Sequence, residues 1–347
     1  MTDDECPRPR SPSQRSATLE DIARAAGVSV STVSRALNDS PSVKRRTKQA
    51  IWQIARARNY EFRASMPAGP SGANATIAEV VPIPQARESR VSDPFFLELL
   101  AGIAEAARER KADLLISHLS PHTGEDLDYA MSTCRARGVI FIGQSSLHHA
   151  FNALAARDNR FVVWGAEFPD AQYCAIGSDN LAGGRRATAH LLRLGRKRIL
   201  FLGDTEAPEA GQRWRGYQPA LAEAGVAIDE ELILPVHFEV HSGEAAVRSA
   251  IARGLAFDAV FAASDLIAIG AIRALTRAGL RVTGHVSVVG YDNIPAARLV
   301  TPQLTTIDQD AHLAGRMLVS KLIDRGEGPA LSERLETSLL IRESCGG

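Results

Sequence analysis

At 347 residues the chain is long enough for two or three folding units and a sizeable buried core, and its 45% hydrophobic and 23% charged residues are ordinary for a soluble globular protein. The formal net charge of zero conceals an asymmetry: residues 1–63 hold twelve Lys/Arg against seven Asp/Glu, so the head carries five net positive charges and the remainder five net negative. A basic head on an acidic body suggests a polyanionic partner for the head alone.

Residues 1–16, MTDDECPRPRSPSQRS, read as a disordered polar tail; they begin acidic and contain no apolar stretch of the kind a secretory signal needs. No run approaches the roughly 20 apolar residues of a membrane helix. Cys6, Cys134, Cys174 and Cys345 are scattered without a CxxC or metal-ligand spacing, as expected of reduced thiols in a cytoplasmic protein.

Residues 17–60 predict three short helices. Thr18 has Asp21 three positions on, the arrangement of a capping box, and Leu19, Ile22, Ala23 and Ala26 then share one helical face. Gly27 can adopt positive φ and turn the chain, Ser29 caps a second helix with Val33 and Leu37 inward, and NDSPS leads to a third helix burying Ile51, Ile54 and Ala55. This is the layout of a helix-turn-helix. Arg35 suits a guanine edge, the hydroxyls of Ser29, Thr32 and Ser34 suit phosphates, and Lys44, Arg45, Arg46 and Lys48 add phosphate contacts. On spacing alone, a small three-helix bundle with a solvated basic face stays open.

The stretch TLEDIARAAGVSVSTVSRALNDSPSV resembles the DNA-binding head of the lactose-repressor (LacI) family of bacterial transcription regulators almost position for position. The resemblance implies that Val30, Ser31 and Arg35 read bases of double-stranded operator DNA. It gives Thr18, Ser29, Thr32, Ser34 and Asn38 to the backbone.

The next stretch, EFRASMPAGPSGAN (61–74), sits where that family has a hinge helix that pushes a Leu into the minor groove. Here Gly69 stands at the wedge position and Pro67 lies inside the would-be helix, so residues 61–75 are expected to be an atypical linker.

From Thr76 on, short apolar runs (TIAEVVP, DLLISHL, GVIFIG, RFVVWG, AIGSD, RILFLGD, ELILPV, AVFAAS, VSVVGYD) alternate with amphipathic helical patterns. Repeated β-then-α units predict parallel sheets flanked by helices, which take ligands in the crevice at the carboxyl ends of the strands. Trp164, closing RFVVWG, would end there. Enzyme signatures are missing: there is no GxGxxG after a first strand, no GxxxxGK[ST], and GQSSL is not a nucleophile elbow. The glycines of NLAGGRRA suit close helix packing. His148 and His149 have no carboxylate nearby in sequence, which favours a surface loop over a metal site. No cofactor, metal or catalytic constellation is expected.

SDPFF, GSDNLAGG, RWRGY, FAASDLIAIGAIRAL, VSVVGYDNIP and PQLTTIDQD are, in this order, similar to landmarks of the same family's effector domain, which is like periplasmic sugar-binding proteins. The resemblance implies two lobes, residues 76–176 with 309–332 and 177–308 with 333–345, with a small-molecule cleft between them. Phe95 and Phe96 would line it, Arg213 would reach ligand oxygens, and Phe238 would stack. Ser264 (where the family often has Asn) and Asp265 open a helix there, Asp292 accepts from hydroxyls, and Gln309 comes from a crossover. Such planar polar ends and aromatic faces suit a sugar.

The expected function is therefore a cytoplasmic homodimeric repressor of carbohydrate-use genes; the ending IRESCGG, without a leucine heptad tail, favours a dimer over a tetramer by family comparison. A co-repressor mode with a purine or phosphosugar, a cytosolic sugar-binding protein, and an enzyme are the alternatives.

Overall fold

The computed structural model describes residues 17–37, 40, 42–58, 76–80, 93–117, 119–134, 136–323 and 331–346. The polar tail, Asn38 and the 61–75 joint lie outside the described residues. The chain divides into two units, one holding the three head helices and the other the two sheets.

In the head, α1 (Leu19–Ala26) begins with the expected capping box: Thr18 Oγ1 accepts from Asp21 N–H, and the Asp21 carboxylate accepts from Thr18 N–H. Gly27 ends the helix at φ +66°. α2 (Val30–Leu37) and α3 (Arg45–Ala57) follow, and Ile22, Ala23, Val33, Ala36, Leu37, Ile51 and Ala55 close a small core. Ile54 packs against that core while partly exposed. Lys48 corrects the basic-surface reading: it is only 8% exposed, on the inward side of α3.

The body runs β1 (Thr76–Val80), α4 (Pro94–Glu109), β2 (Asp113–Ile116), α5 (Gly124–Thr133), β3 (Gly138–Ile142), α6 (His148–Ala155), β4 (Phe161–Trp164) and β5 (Ala175–Ser178). It continues with α7 (Asn180–Arg193), β6 (Ile199–Leu202), α8 (Pro208–Glu223), β7 (Ile233–Leu234), α9 (Val240–Ala252), β8 (Ala259–Ala262), α10 (Asp265–Arg277) and β9 (Ser287–Asp292). Last come β10 (Thr305–Asp308), α11 (Ala311–Ile323), β11 (Glu333–Leu335) and β12 (Ser338–Leu340). One six-stranded sheet has the order β11-β5-β4-β3-β1-β2 and the other β12-β10-β9-β8-β6-β7. All pairings are parallel except β10 with β12. β3, β4, β6 and β8 are buried along their whole length, as strands covered on both faces should be.

Each sheet builds its own lobe. Leu99, Ile103, Ile140, Val162, Ile176 and Leu318 pack in the first, and Leu200, Phe201, Val260, Phe261, Val288 and Val289 in the second. Two of the three lobe borders fall later than the sequence reading placed them, because all of β5 and also β11 belong to the first sheet, while the border after Asp308 falls where it was expected. The chain therefore crosses between lobes after Ser178, after Asp308, and between Leu335 and Ser338.

His148 and His149 also differ from expectation. They open α6 rather than lying in a loop, and His148 is buried. No disulfide joins Cys134, Cys174 and Cys345. Among the described residues no helix is long and apolar enough to cross a membrane.

Candidate functional site

The carboxyl ends of the parallel strands bring most of the expected residues to the junction of the lobes. At its centre Arg213, on α8, is 4% exposed. Its Nε donates to Asn180 Oδ1 (2.8 Å), its Nη1 donates to the Ala263 carbonyl, and Nη1 stands 3.8 Å from Asp292 Oδ1. The guanidinium lies over the Tyr291 ring, 3.7 Å from its centroid, and 5.9 Å from that of Phe238.

A closed ring of polar contacts follows. Gln309 Nε2 donates to Asp292 Oδ1 (2.5 Å) and Gln309 Oε1 accepts from Ser178 Oγ (2.5 Å). Ser178 Oγ also lies 3.4 Å from Asn180 Oδ1, which returns to Arg213. Ser178 and Gln309 stand at two of the crossovers, so the ring is fastened to the chain segments joining the lobes. Asp292 and Asn293 both have positive φ, +114° and +56°, an uncommon backbone for non-glycine residues that marks the end of β9.

Burial pushes the Asp292 carboxyl well above the usual carboxylate range; Arg213 opposes that, and Asp265 and Asp93 reinforce it. Glu209, one turn before Arg213 on α8, is likewise raised by burial, with Arg213 opposing. Tyr291 is pushed up to about 12 by burial, so it stays a neutral phenol beneath the cation.

The first lobe contributes rings. Asp93 caps α4 by accepting from Phe95 N–H (2.9 Å), and Pro94 follows at the first helical position. That start sets Phe95 and Phe96 beside each other with centroids 6.2 Å apart, and Phe95 5.6 Å from Trp164. All three pack on the first-lobe core. Ser264 and Asp265 have internal partners. Ser264 Oγ accepts from Ile267 N–H (3.3 Å) as the cap of α10. Asp265, fully buried, accepts from Thr306 Oγ1 (2.6 Å) and Ile294 N–H (2.9 Å).

In the head, Val30, Ser31 and Arg35 are exposed, while Thr32 and Ser34 are half-buried. Ser29 Oγ accepts from Thr32 N–H (3.1 Å) and clusters with the hydroxyls of Ser31 (2.9 Å) and Thr32 (2.8 Å). The Thr18 hydroxyl donates to Asp21 (2.8 Å), and Lys44, just before α3, and Arg46, in its first turn, are exposed.

Comparison with known proteins gives this geometry a context. Residues 18–61 match the bacterial regulatory proteins of the lacI family, and residues 188–345 a periplasmic binding protein-like domain. The chain is 33% identical to the HTH-type transcriptional regulator CelR of Thermobifida fusca, over 95% of this chain and 99% of the relative. It is 30% identical to the ribose operon repressor of Haemophilus influenzae, over 94% and 98%. The solved complex of CelR with cellobiose superposes with a TM-score of 0.68 at 30% identity, over 94% of this chain and 99% of that one. The lac repressor dimer bound to operator and the anti-inducer ONPF superposes at 0.69 with 25% identity, over 95% and 99%.

The chain belongs to the lacI family of bacterial regulatory proteins. It is a DNA-binding transcriptional regulator and not an enzyme. For this lacI-family regulator, sequence reading missed Ser178, Asn180, Glu209 and Tyr291. Three of them stand inside landmark segments, GSDN and VGYDN, and Glu209 precedes Arg213 by one helical turn; that spacing was the available signal.

Proposed function

We propose that this regulator is a cytoplasmic homodimeric repressor of carbohydrate-use genes whose operator affinity changes when a small sugar-like effector binds between the lobes. The polar ring of Ser178, Gln309, Asp292, Arg213 and Asn180 carries the reading. It holds planar donors and acceptors at the lobe junction beside the half-buried Phe238 ring, a combination suited to vicinal hydroxyls and the C–H face of a sugar. The cellobiose bound to CelR points to the same ligand class. In this reading Phe95, Phe96 and Trp164 supply apolar surface from the first lobe, and two heads read a pseudo-palindromic operator. Effector and operator are linked by a coupling free energy, so each changes affinity for the other by the same factor.

The test is a gel-shift titration on the upstream DNA with a panel of sugars, cello-oligosaccharides and ribose first. At least one sugar should change operator affinity. Arg213→Lys should shift the effective sugar concentration by more than about tenfold, because an ammonium cannot fork to several acceptors while stacking on Tyr291. A panel in which no sugar alters binding would sink the effector reading.

A further inference from the structure

One cluster of side chains in the first lobe has no part in the reading above. His148 begins α6, and its ring stacks on Phe168 with centroids 4.2 Å apart. Its Nδ1 bonds the Tyr173 hydroxyl (2.9 Å), which also accepts from Gln144 Nε2 (2.8 Å). Its Nε2 faces Asp170 Oδ1 at 3.1 Å, and the His149 ring lies 5.2 Å away, centroid to centroid. One donor atom from each of His148, His149 and Asp170 falls within 4.8 Å of the others.

We propose that His148, His149 and Asp170 bind a borderline divalent metal ion, Zn2+ foremost, on the first lobe. Two imidazole nitrogens and a carboxylate oxygen are the donor set such ions take, at about 2.0–2.2 Å from the metal. Ligands sharing one tetrahedral ion stand roughly 3.4 Å apart by that geometry. His148 and Asp170 are already near it, and the exposed His149 has a ring nitrogen within 4.8 Å of both.

The surroundings are those of a built site. The Asp170 loop is fastened to α6 by Asn152, which donates to Asp170 O (3.1 Å) and accepts from Gln172 N–H (2.8 Å). Tyr173 orients His148 from the far ring nitrogen, the place where metal-binding histidines usually meet an outer hydrogen-bond partner. On binding, the metal takes the Nε2 lone pair of neutral His148, whose one ring proton then resides on Nδ1 facing Tyr173 oxygen.

The experiment uses the untagged full chain. Zn2+ is titrated by calorimetry, and Co2+ serves as an optical stand-in whose thiolate charge-transfer bands would betray cysteine ligation. We expect one ion per chain, with Co2+ showing ligand-field bands of a nitrogen and oxygen site. His149→Ala and Asp170→Asn, both at exposed positions, should each remove binding. Tyr173→Phe should weaken it about tenfold by loosening His148. The proposal is overturned by no binding to the wild type, by equal binding in the His149→Ala/Asp170→Asn double variant, or by thiolate bands in the Co2+ spectrum.

Discussion

Asp265 and Asp292 stand 27 positions apart in sequence; the first ends up in the interior of the second lobe and Asp292 at its edge toward the junction. Asp265 answers only to its own lobe, receiving the Thr306 hydroxyl and the Ile294 amide, and burial pushes its carboxyl up to about 7 from 3.8. A folded-state pKa raised above the unfolded one means that the fold prefers the protonated acid. The stabilisation is fully present below about pH 4 and is lost as pH rises through about 7. Asp265→Asn, which cannot titrate, should flatten the decline in unfolding free energy across that window; urea unfolding at stepped pH measures it, and parallel curves for the two proteins would refute it. Asp265→Ala should cost about 1–3 kcal/mol by leaving two buried donors without an acceptor. At this scale the sequence was legible where a residue's neighbours in the chain announce it, as with Arg213 in RWRGY and Gln309 in TIDQD. It was not legible for His148, whose carboxylate neighbour arrives 22 residues later.

Helices pair across both lobes through glycine. A Cβ on Gly184 of α7 would fall 2.1 Å from the Arg213 carbonyl oxygen, and one on Gly216 of α8 would fall 2.1 Å from that of Leu181. The backbones touch where side chains ordinarily keep them apart, which is the packing role read for the glycines of NLAGGRRA. Gly184→Ala should therefore push α7 from α8, cost about 1–3 kcal/mol, and displace the Arg213 backbone. Denaturation midpoints read the first effect. Sugar response of the surviving folded fraction reads the second, and an unchanged midpoint would refute the close-contact argument. Strands were legible in the same uneven way. Each of the nine apolar runs contains one, although ELILPV is a short turn of 3-10 helix at Glu230–Leu232 before β7. β10 escaped because its Thr305 and Thr306 are fully buried polar residues. Their partners, Ser344, Arg342 and Asp265, come from distant parts of the chain, so no local pattern marks the strand. β11 and β12 are three residues each, too short to carry a period.

At the scale of the whole chain, the charge asymmetry assigns DNA affinity to the head. Operator binding should weaken steeply with salt, and Lys44→Ala or Arg46→Ala should each lower the slope of log affinity against log salt by about 1. Filter binding across a salt series shows this; a slope unaltered in both variants would count against their phosphate contacts. Arg35→Ala should instead relax discrimination at one base pair by about 1–3 kcal/mol.

The placement of the polar ring has a mechanical meaning. Ser178 and Gln309 belong to the segments that join the lobes, with Asp292 and Arg213 tied to them, so in the proposed mechanism they are the straps on which one lobe would turn against the other. The lock is thus mounted on the pivot instead of on the edges of the doors. Under the proposed mechanism, a molecule that rearranges these few bonds would act where the lever arm is shortest, and a displacement at the straps would be multiplied at the far end of each lobe. Sensitivity then depends less on how much of the crevice a ligand fills than on which of the pivot's bonds it replaces.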